Sequence, residues 1–331
     1  ELQPYVQDAI NEIQFLTGDA KTNQWAKLRA QYGHPASYKL KYIEIGNEDW
    51  VSADTYANYR WKAFVTGLKA AFPNSGFEYL ATTYPETALS PAYTHIDVHQ
   101  FNIPAWFIEN ALQYDSYPRD GAKVFFGEYA VTSTNASCIF GPPSCGRLVY
   151  PTLQGAVAEA AFLTGLERNS DVVFASSYAP SMQHVSSAGW SPNLASFDAG
   201  SVVKSPSYHV QHMFSTNRGT EVIKTNPAPS ANIPLHWVAS HDSKAKGVYI
   251  KAVNTANTTY GVKFSLEFPI SNKSIGLTLL TASNATVSNT LDNPNAAAPK
   301  ASTIPVASGA TSFSYTMPAN SVAVFNVKTN W

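Results

Sequence analysis

The sequence is poor in charge, in cysteine and in long apolar runs. Lys and Arg number 22 and Asp and Glu 23, so only 14% of the 331 residues are charged, against roughly 25% in an average soluble protein. The formal net charge is -1, which leaves no basic stripe for nucleic acid and no polybasic face for an anionic membrane. No apolar stretch reaches the roughly 18 residues of a candidate membrane span. GxSxG elbows, Gly-rich phosphate loops and HExxH pairs are all missing from the sequence. What is present is apolar and aromatic: 44% hydrophobic and 13% aromatic residues, ample for a buried core and contrary to disorder. The length corresponds to about two domains.

The two cysteines, Cys138 and Cys145, are separated by six residues in SCIFGPPSCG. No His or Cys cluster accompanies them to complete a metal site, and a redox pair of the thioredoxin type would have two intervening residues. A disulfide pinning a loop is the preferred reading, with two free thiols as the alternative. N-x-S/T sequons occur at Asn135, Asn257, Asn272 and Asn284. Three fall in the Ser/Thr/Asn-rich last third, which suits a secreted, glycosylated, extracellular protein. The chain begins at Glu1 without an initiator Met, as a mature secreted protein or a fragment would.

Residues 1–38 read as helices: PYVQDAINEIQFL has apolar positions at helical spacing and TNQWAKLRAQYG ends on a glycine stop. Strands then alternate with helices. KYIEIGNE, FEYLATT, HIDVHQF, KVFFGEYA and DVVFASSYAP read as five strands. SADTYANYRWKAFVTGLKAAFP, AWFIENALQYD, TLQGAVAEAAFLTGLERN and SPSYHVQHMFSTN read as helices. Such alternation implies parallel strands joined by helical crossovers. After about residue 218 the pattern changes. GVYIKAVN, GVKFSLEF, IGLTLLTA, TSFSYTMP and SVAVFNVKT alternate apolar with polar residues between Asn/Ser/Pro turns, as in an antiparallel β-sandwich. The expected domains are therefore 1–217, α/β, and 218–331, all-β.

Two strand ends carry carboxylates. Gly46-Asn47-Glu48 closes YIEI, and Gly127-Glu128 closes KVFF. In parallel α/β folds the C-terminal strand ends form the ligand face, and a carboxylate after an apolar strand is costly unless paired or open to a cleft. Two carboxylates facing each other across one barrel mouth are what glycoside hydrolysis requires. On spacing alone the plainer reading, two caps or salt-bridge partners, takes precedence.

The motif changes that balance. YIEIGNEDW resembles the strand-four motif of the retaining glycosidases built on (β/α)8 barrels, in which Asn-Glu carries the acid/base and a Glu ending strand seven is the nucleophile. HIDVHQFNIPAWFIENALQYDSYPRDGAKVFFGEYAVTS, LQGAVAEAAFLTGLERNSDVVFASSYAP, GWSPNLASFD and SPSYHVQHMFSTNRG narrow the resemblance. Together these blocks are similar to fungal α-L-arabinofuranosidases of glycoside hydrolase family 51, in detail over about residues 1 to 220 and by pattern beyond. The resemblance implies Glu48 as general acid/base, Glu128 as nucleophile and Asn47 as a ligand of a sugar hydroxyl. Glu48 would hold a proton at working pH and Glu128 would stay ionised.

Other candidates are less specific. His99 follows Asp97 at a strand end and reads either as a site residue or as a structural hydrogen-bonding group. The resemblance places a Tyr two positions after this His; Phe101 stands there instead, so any role of that hydroxyl is lost or taken by another residue. Trp106, Trp190 and Asn193 lie in segments following strands, where they suit either a furanose ring or packing. Trp50 and Tyr129 flank the two glutamates, as pocket lining or as barrel wedges. His209 and His212 are three apart on an expected helix without a third ligand, so no metal is expected. Glycoside hydrolysis needs no cofactor, and none is expected.

If KYIEIGNE is strand four and KVFFGEYA strand seven, the chain carries strands four to eight of a (β/α)8 TIM barrel. Five strands would leave two unpaired edges and an open core. The expectation is an N-terminal chain of the same protein, cleaved or separate, that supplies strands one to three. The expected substrate is an arabinose-containing polysaccharide or oligosaccharide, with neither nucleic acid nor membrane as partner. The expected function is a retaining, exo-acting α-L-arabinofuranosidase acting on arabinoxylan or arabinan. Alternatives are another glycosidase of the same clan, such as a β-xylosidase or endoglucanase, or a non-catalytic carbohydrate-binding protein.

Overall fold

A computed structural model describes residues 1–187 and 189–330. It divides into two compact units, Glu1–His99 with Arg119–Phe126, and Gln100–Pro118 with Gly127–Trp331.

The first unit opens with helix α1 (Gln3–Thr17), which has a proline in its first turn and ends at Gly18. Helix α2 (Gln24–Gln31) starts where the Asn23 side chain accepts from the backbone N–H groups of Trp25 and Ala26, an N-cap that satisfies donors the helix cannot pair itself. Arg29 of α2 is buried and donates to the carbonyls of Phe15, Leu16, Gly18, His34 and Pro35. A guanidinium presents five donors, and here they collect the open carbonyls of the α1 terminus and the loop after α2.

Strand β1 (Tyr42–Ile45) pairs in parallel with β2 (Glu78–Ala81), from Tyr42 opposite Glu78 to Ile45 opposite Ala81. Between them the chain makes a 3-10 turn (Asp49–Ser52), a single turn α3 (Ala53–Thr55), a π turn (Tyr56–Arg60) and helix α4 (Trp61–Ala71). One face of α4, with Trp61, Val65 and Leu68, packs on Ile45, Tyr79 and Ala81 from the strands and Ile13 from α1. Strand β3 (His95–Asn102) pairs in parallel with β2, and the order in this unit is β1-β2-β3 followed by the first half of β4 (Lys123–Val131).

The second unit takes the last residues of β3, the rest of β4, and β5 (Val173–Tyr178), in the order β3-β4-β5. Helix α5 (Pro104–Glu109) packs against α6 (Leu153–Arg168). Helix α6 is buried on nearly every side, from Leu153 to Leu166, which its run of Ala and Gly permits by letting neighbours approach closely. At Gly165 a Cβ would stand 2.0 Å from the carbonyl oxygen of Ala111. Three short strands, β6 (Met182–His184), β7 (Ala195–Phe197) and β8 (Val202–Lys204), form a small sheet that the sequence pattern does not announce. Helix α7 (Pro206–Thr216) follows, capped by the Ser205 hydroxyl on Tyr208 N–H.

Past α7 the strands are β9 (Glu221–Ile223), β10 (Leu235–Asp242), β11 (Gly247–Asn254), β12 (Tyr260–Ser265), β13 (Ser274–Leu280), β14 (Lys300–Pro305), β15 (Ser312–Met317) and β16 (Ser321–Lys328). Six of them form a sheet in the order β14-β13-β16-β11-β10-β9, and β12 pairs with β15. Every pair with a defined register among them is antiparallel. Val248, Ile250 and Ala252 of β11 join Phe325 and Val327 of β16 and Phe313 and Met317 of β15 in one apolar core. Alternation along β11 turns Lys251 away from that core. It is fully buried against α6 and α7, where its ammonium pairs with Glu167, donates to the Phe214 carbonyl at 3.1 Å and lies 4.8 Å from the Phe214 ring centroid.

Candidate active site

The GNE turn sits directly after β1 in the first unit. Gly46 has φ +98°, and a Cβ there would stand 1.8 Å from Asp49 Oδ2, so only glycine fits. Glu48 also adopts a left-handed backbone, φ 52° and ψ 38°, a conformation that costs energy in a non-glycine residue. Asp49 supplies the surroundings that hold it. Asp49 is buried; its Oδ2 accepts from Asn47 N–H at 3.0 Å and from the Thr82 hydroxyl at 2.7 Å, and its Oδ1 accepts from Arg60 at 2.5 Å. Its own N–H donates to Thr82 O at 2.8 Å. The Tyr56 hydroxyl donates to Ile45 O at 2.6 Å, fixing the strand end from below. Burial pushes the Tyr56 phenol up to about 12, so it serves as a neutral donor. The backbone on both sides of Glu48 is thus pinned while its side chain remains 40% exposed.

His99 meets that side chain. His99 Nδ1 lies 3.0 Å from Glu48 Oε1, and Nε2 lies 2.6 Å from Asp97 Oδ2. The ring is only 3% exposed and meets the Trp50 ring edge-on at 5.3 Å between centroids. Trp50 therefore lines the histidine, and Asp97 orients it through the far nitrogen. Asn47 is exposed beside Glu48.

Glu128 lies in the second unit, in β4 between buried Gly127 and buried Tyr129. Tyr129 belongs to the core: its ring packs with Phe107, Phe162 and Tyr178, and its hydroxyl accepts from Gln211 at 2.6 Å. Burial raises its phenol well above the ordinary range. Three residues past Glu128, Val131 N–H donates to Glu159 Oε1 at 2.9 Å. Burial of Glu159 in α6 pushes its carboxyl up to about 8.

The remaining candidates of this unit separate into two groups. Trp106 packs on Phe107 and Phe162 between α5 and α6. Trp190 is 39% exposed, and buried Asn193 donates to its carbonyl at 2.6 Å and to Gln183 at 2.9 Å. Cys138 and Cys145 form a disulfide. Asn135, Asn257, Asn272 and Asn284 are all exposed. His209 is half-buried on α7, with its imidazole pushed down to about 4 by burial, whereas the His212 ring stacks on Tyr208.

Comparison with known proteins identifies the family. A model described as the α-L-arabinofuranosidase C-terminal domain matches residues 127–321, and one described as the α-L-arabinofuranosidase 1 domain matches residues 1–119. The chain belongs to the α-L-arabinofuranosidases of glycoside hydrolase family 51. It is 36% identical over 330 residues to a probable α-L-arabinofuranosidase A of Aspergillus terreus, covering 98% of this chain and 48% of the relative. It is 35% identical over 258 residues to an extracellular exo-α-L-arabinofuranosidase of Streptomyces chartreusis, covering 74% and 29%. Among solved structures, arabinose-bound MgGH51 α-L-arabinofuranosidase superimposes with a TM-score of 0.93 at 44% identity, covering 99% of this chain and 52% of that one. The family 51 chain described here spans about half the length of the curated relatives it matches.

Two carboxylates beside the candidate residues, Asp49 and Glu159, have surroundings that no sequence motif states. Asp49 stands next to Glu48 in GNED, but its role depends on Thr82 and Arg60, which only the fold brings to it. Glu159 did carry a signal, as a lone carboxylate inside LQGAVAEAAFLTG.

Proposed function

We propose that the protein carrying this chain is a retaining, exo-acting α-L-arabinofuranosidase that releases arabinose from arabinoxylan or arabinan. Family membership supports the sugar. The hold on Glu48 supports the chemistry: a carboxyl fixed by a strained, glycine-dependent turn, hydrogen-bonded by a buried histidine, and open to solvent. A surface cap would have no use for that strain.

Glu128 is the nucleophile and Glu48 the acid/base. The Glu128 carboxylate attacks the anomeric carbon; the glycosidic C–O bond breaks, and the proton of Glu48 passes to the leaving oxygen. Glu48, now a carboxylate, then takes a proton from water, whose oxygen attacks the same carbon and releases Glu128. Two inversions retain the configuration. A retaining mechanism uses two carboxylates about 5 Å apart across one sugar. Asp97 and His99 orient the acid, and Asn47, Trp106, Trp190 and Asn193 belong to the substrate-binding side of the site or to its supports. The reaction uses no metal or cofactor.

The same reading assigns residues 1–217 to strands four to eight of a (β/α)8 barrel and residues 218–331 to an antiparallel β-sandwich. Strands one to three come from a further polypeptide of the same protein, which the roughly twofold length of the relatives supports. The disulfide, the exposed sequons and the extracellular Streptomyces relative support secretion with glycans on Asn135, Asn257, Asn272 and Asn284.

The test is hydrolysis of an aryl α-L-arabinofuranoside by the full-length protein and by Glu48→Gln and Glu128→Gln. Loss of about 100-fold or more in kcat for each variant is expected. A wild type that cleaves aryl xylosides or glucosides but not arabinofuranosides would overturn the substrate assignment.

A further inference from the structure

Phe140, at the tip of the disulfide loop, is 63% exposed, and Trp190 beside it is 39% exposed. Large rings left in water on a folded surface call for a use. These two are not loose. Phe140 and Trp190 lie 5.6 Å apart between centroids, and the Phe101 ring stands 6.1 Å and 5.3 Å from them. Beneath them the buried Arg147 guanidinium lies 4.4 Å from the Trp190 centroid and 5.5 Å from that of Phe140. Arg147 also donates to Ser191 O at 2.6 Å and to Ile139 O at 2.5 Å, the carbonyls adjoining each aromatic residue. One side chain therefore ties the two loops together.

Further supports fix each ring in place. The Cys138–Cys145 bond closes the loop that carries Phe140, and at Gly141 a Cβ would stand 2.1 Å from Cys138 Sγ. Asn193 holds the Trp190 carbonyl. An aromatic pair pre-set in this way loses little conformational freedom on binding. Because Arg147 spends donors inward on carbonyls and its charge against ring faces, the outer surface is apolar ring rather than cation. Its match is the C–H face of a neutral sugar, not an anion.

Position adds the direction. Thr132 N–H donates to Asn102 O at 2.9 Å, which in a parallel pair sets Asn102 level with Val131 and Phe101 level with Ala130, two residues beyond Glu128. At about 3.3 Å per residue that is roughly 7 Å along the strand, beyond the span of one sugar ring.

We infer that Phe140 and Trp190, held by Arg147, form an aglycone subsite that stacks backbone sugars of a neutral pentose polysaccharide on the leaving-group side. The inference rests on the glycosidase reading above and specifies its substrate as a polymer. A single arabinosyl ring bound at the nucleophile does not reach the platform, whereas the chain to which that ring is attached does. Phe140 is the residue here that serves the substrate without touching the reacting atoms, and Asn193 and Arg147 are positioning residues.

The test compares kcat/KM of the full-length protein on arabinoxylan and on an aryl α-L-arabinofuranoside. In Phe140→Ala the ratio of polymer to aryl activity should fall about five- to tenfold, as expected for one lost ring contact, and mainly through KM. Phe140→Tyr should restore the ratio and Phe140→Leu should not, because Leu keeps apolar bulk without a ring face. An unchanged ratio in Phe140→Ala, or full rescue by Phe140→Leu, would overturn the subsite. Absence of aryl arabinofuranoside cleavage by the wild type would instead defeat the glycosidase reading, so the two failures are distinct.

Discussion

His99 bridges two carboxylates, with Nδ1 3.0 Å from Glu48 Oε1 and Nε2 2.6 Å from Asp97 Oδ2. In the neutral ring one nitrogen donates and the other accepts. With Nε2–H donated to Asp97, Nδ1 can accept from the acid form of Glu48, the form that the proposed role as acid catalyst uses. His99→Gln should therefore lower kcat by about 10-fold or more with KM little changed. The loss should be greater for substrates with poor leaving groups, where protonation matters most. Steady-state kinetics on a series of aryl leaving groups checks this, and equal losses across the series would count against it.

The Lys251–Glu167 pair ties β11 to α6, and Ser240 of β10 donates to the same carboxylate at 3.2 Å. Burial pushes the Lys251 ammonium down and the Glu167 carboxylate opposes that shift, as expected for a paired cation. Removing one member of such a pair costs about 3–5 kcal/mol because the other charge is left unpaired. Lys251→Met should lower the melting temperature sharply, and Lys251→Met with Glu167→Met should recover most of the loss. Differential scanning calorimetry of the wild type and the two variants decides it. A double variant no better than the single one would show that packing, not charge, holds the junction.

Glu159 makes a pH-dependent contribution to stability with a definite sign. Its carboxyl is pushed from an ordinary 4.5 up to about 8 by burial. Between those values the unfolded chain releases a proton that the folded chain keeps. Stability therefore falls as pH rises through that window, by up to about 1.4 kcal/mol per pH unit, and levels off above it. Glu159→Gln keeps an acceptor for Val131 N–H and has no proton to lose, so this slope should vanish. Denaturant unfolding at pH 5 and pH 8 compares wild type with variant. Parallel behaviour of the two proteins would contradict the assignment.

Much of this arrangement was legible in the sequence because it rests on periodicity. The five α/β strands and the helices between them fall where apolar runs and caps put them, and GNE marks the turn that holds Glu48. What escaped were features set by contacts distant in sequence. Strand β10 reads poorly because His236, Ser240 and His241 interrupt its apolar pattern, yet all three are buried. Asp49 shapes the Glu48 turn only through Thr82 and Arg60, and Phe140 gains meaning only when Arg147 brings Trp190 beside it. Trp106 and Trp190 looked alike in sequence; α6 takes one into packing and leaves the other exposed.

In the proposed mechanism Glu128 attacks the sugar and Glu48 completes the turnover. Trapping the covalent intermediate distinguishes these two roles. The full-length Glu48→Gln variant is incubated with an aryl α-L-arabinofuranoside bearing a good leaving group, which needs no acid for the first step but cannot finish the second. Peptide mass spectrometry should then find one arabinosyl group esterified to Glu128. A sugar attached to any other carboxylate, or none despite stoichiometric release of the leaving group, would rule out Glu128 as the nucleophile.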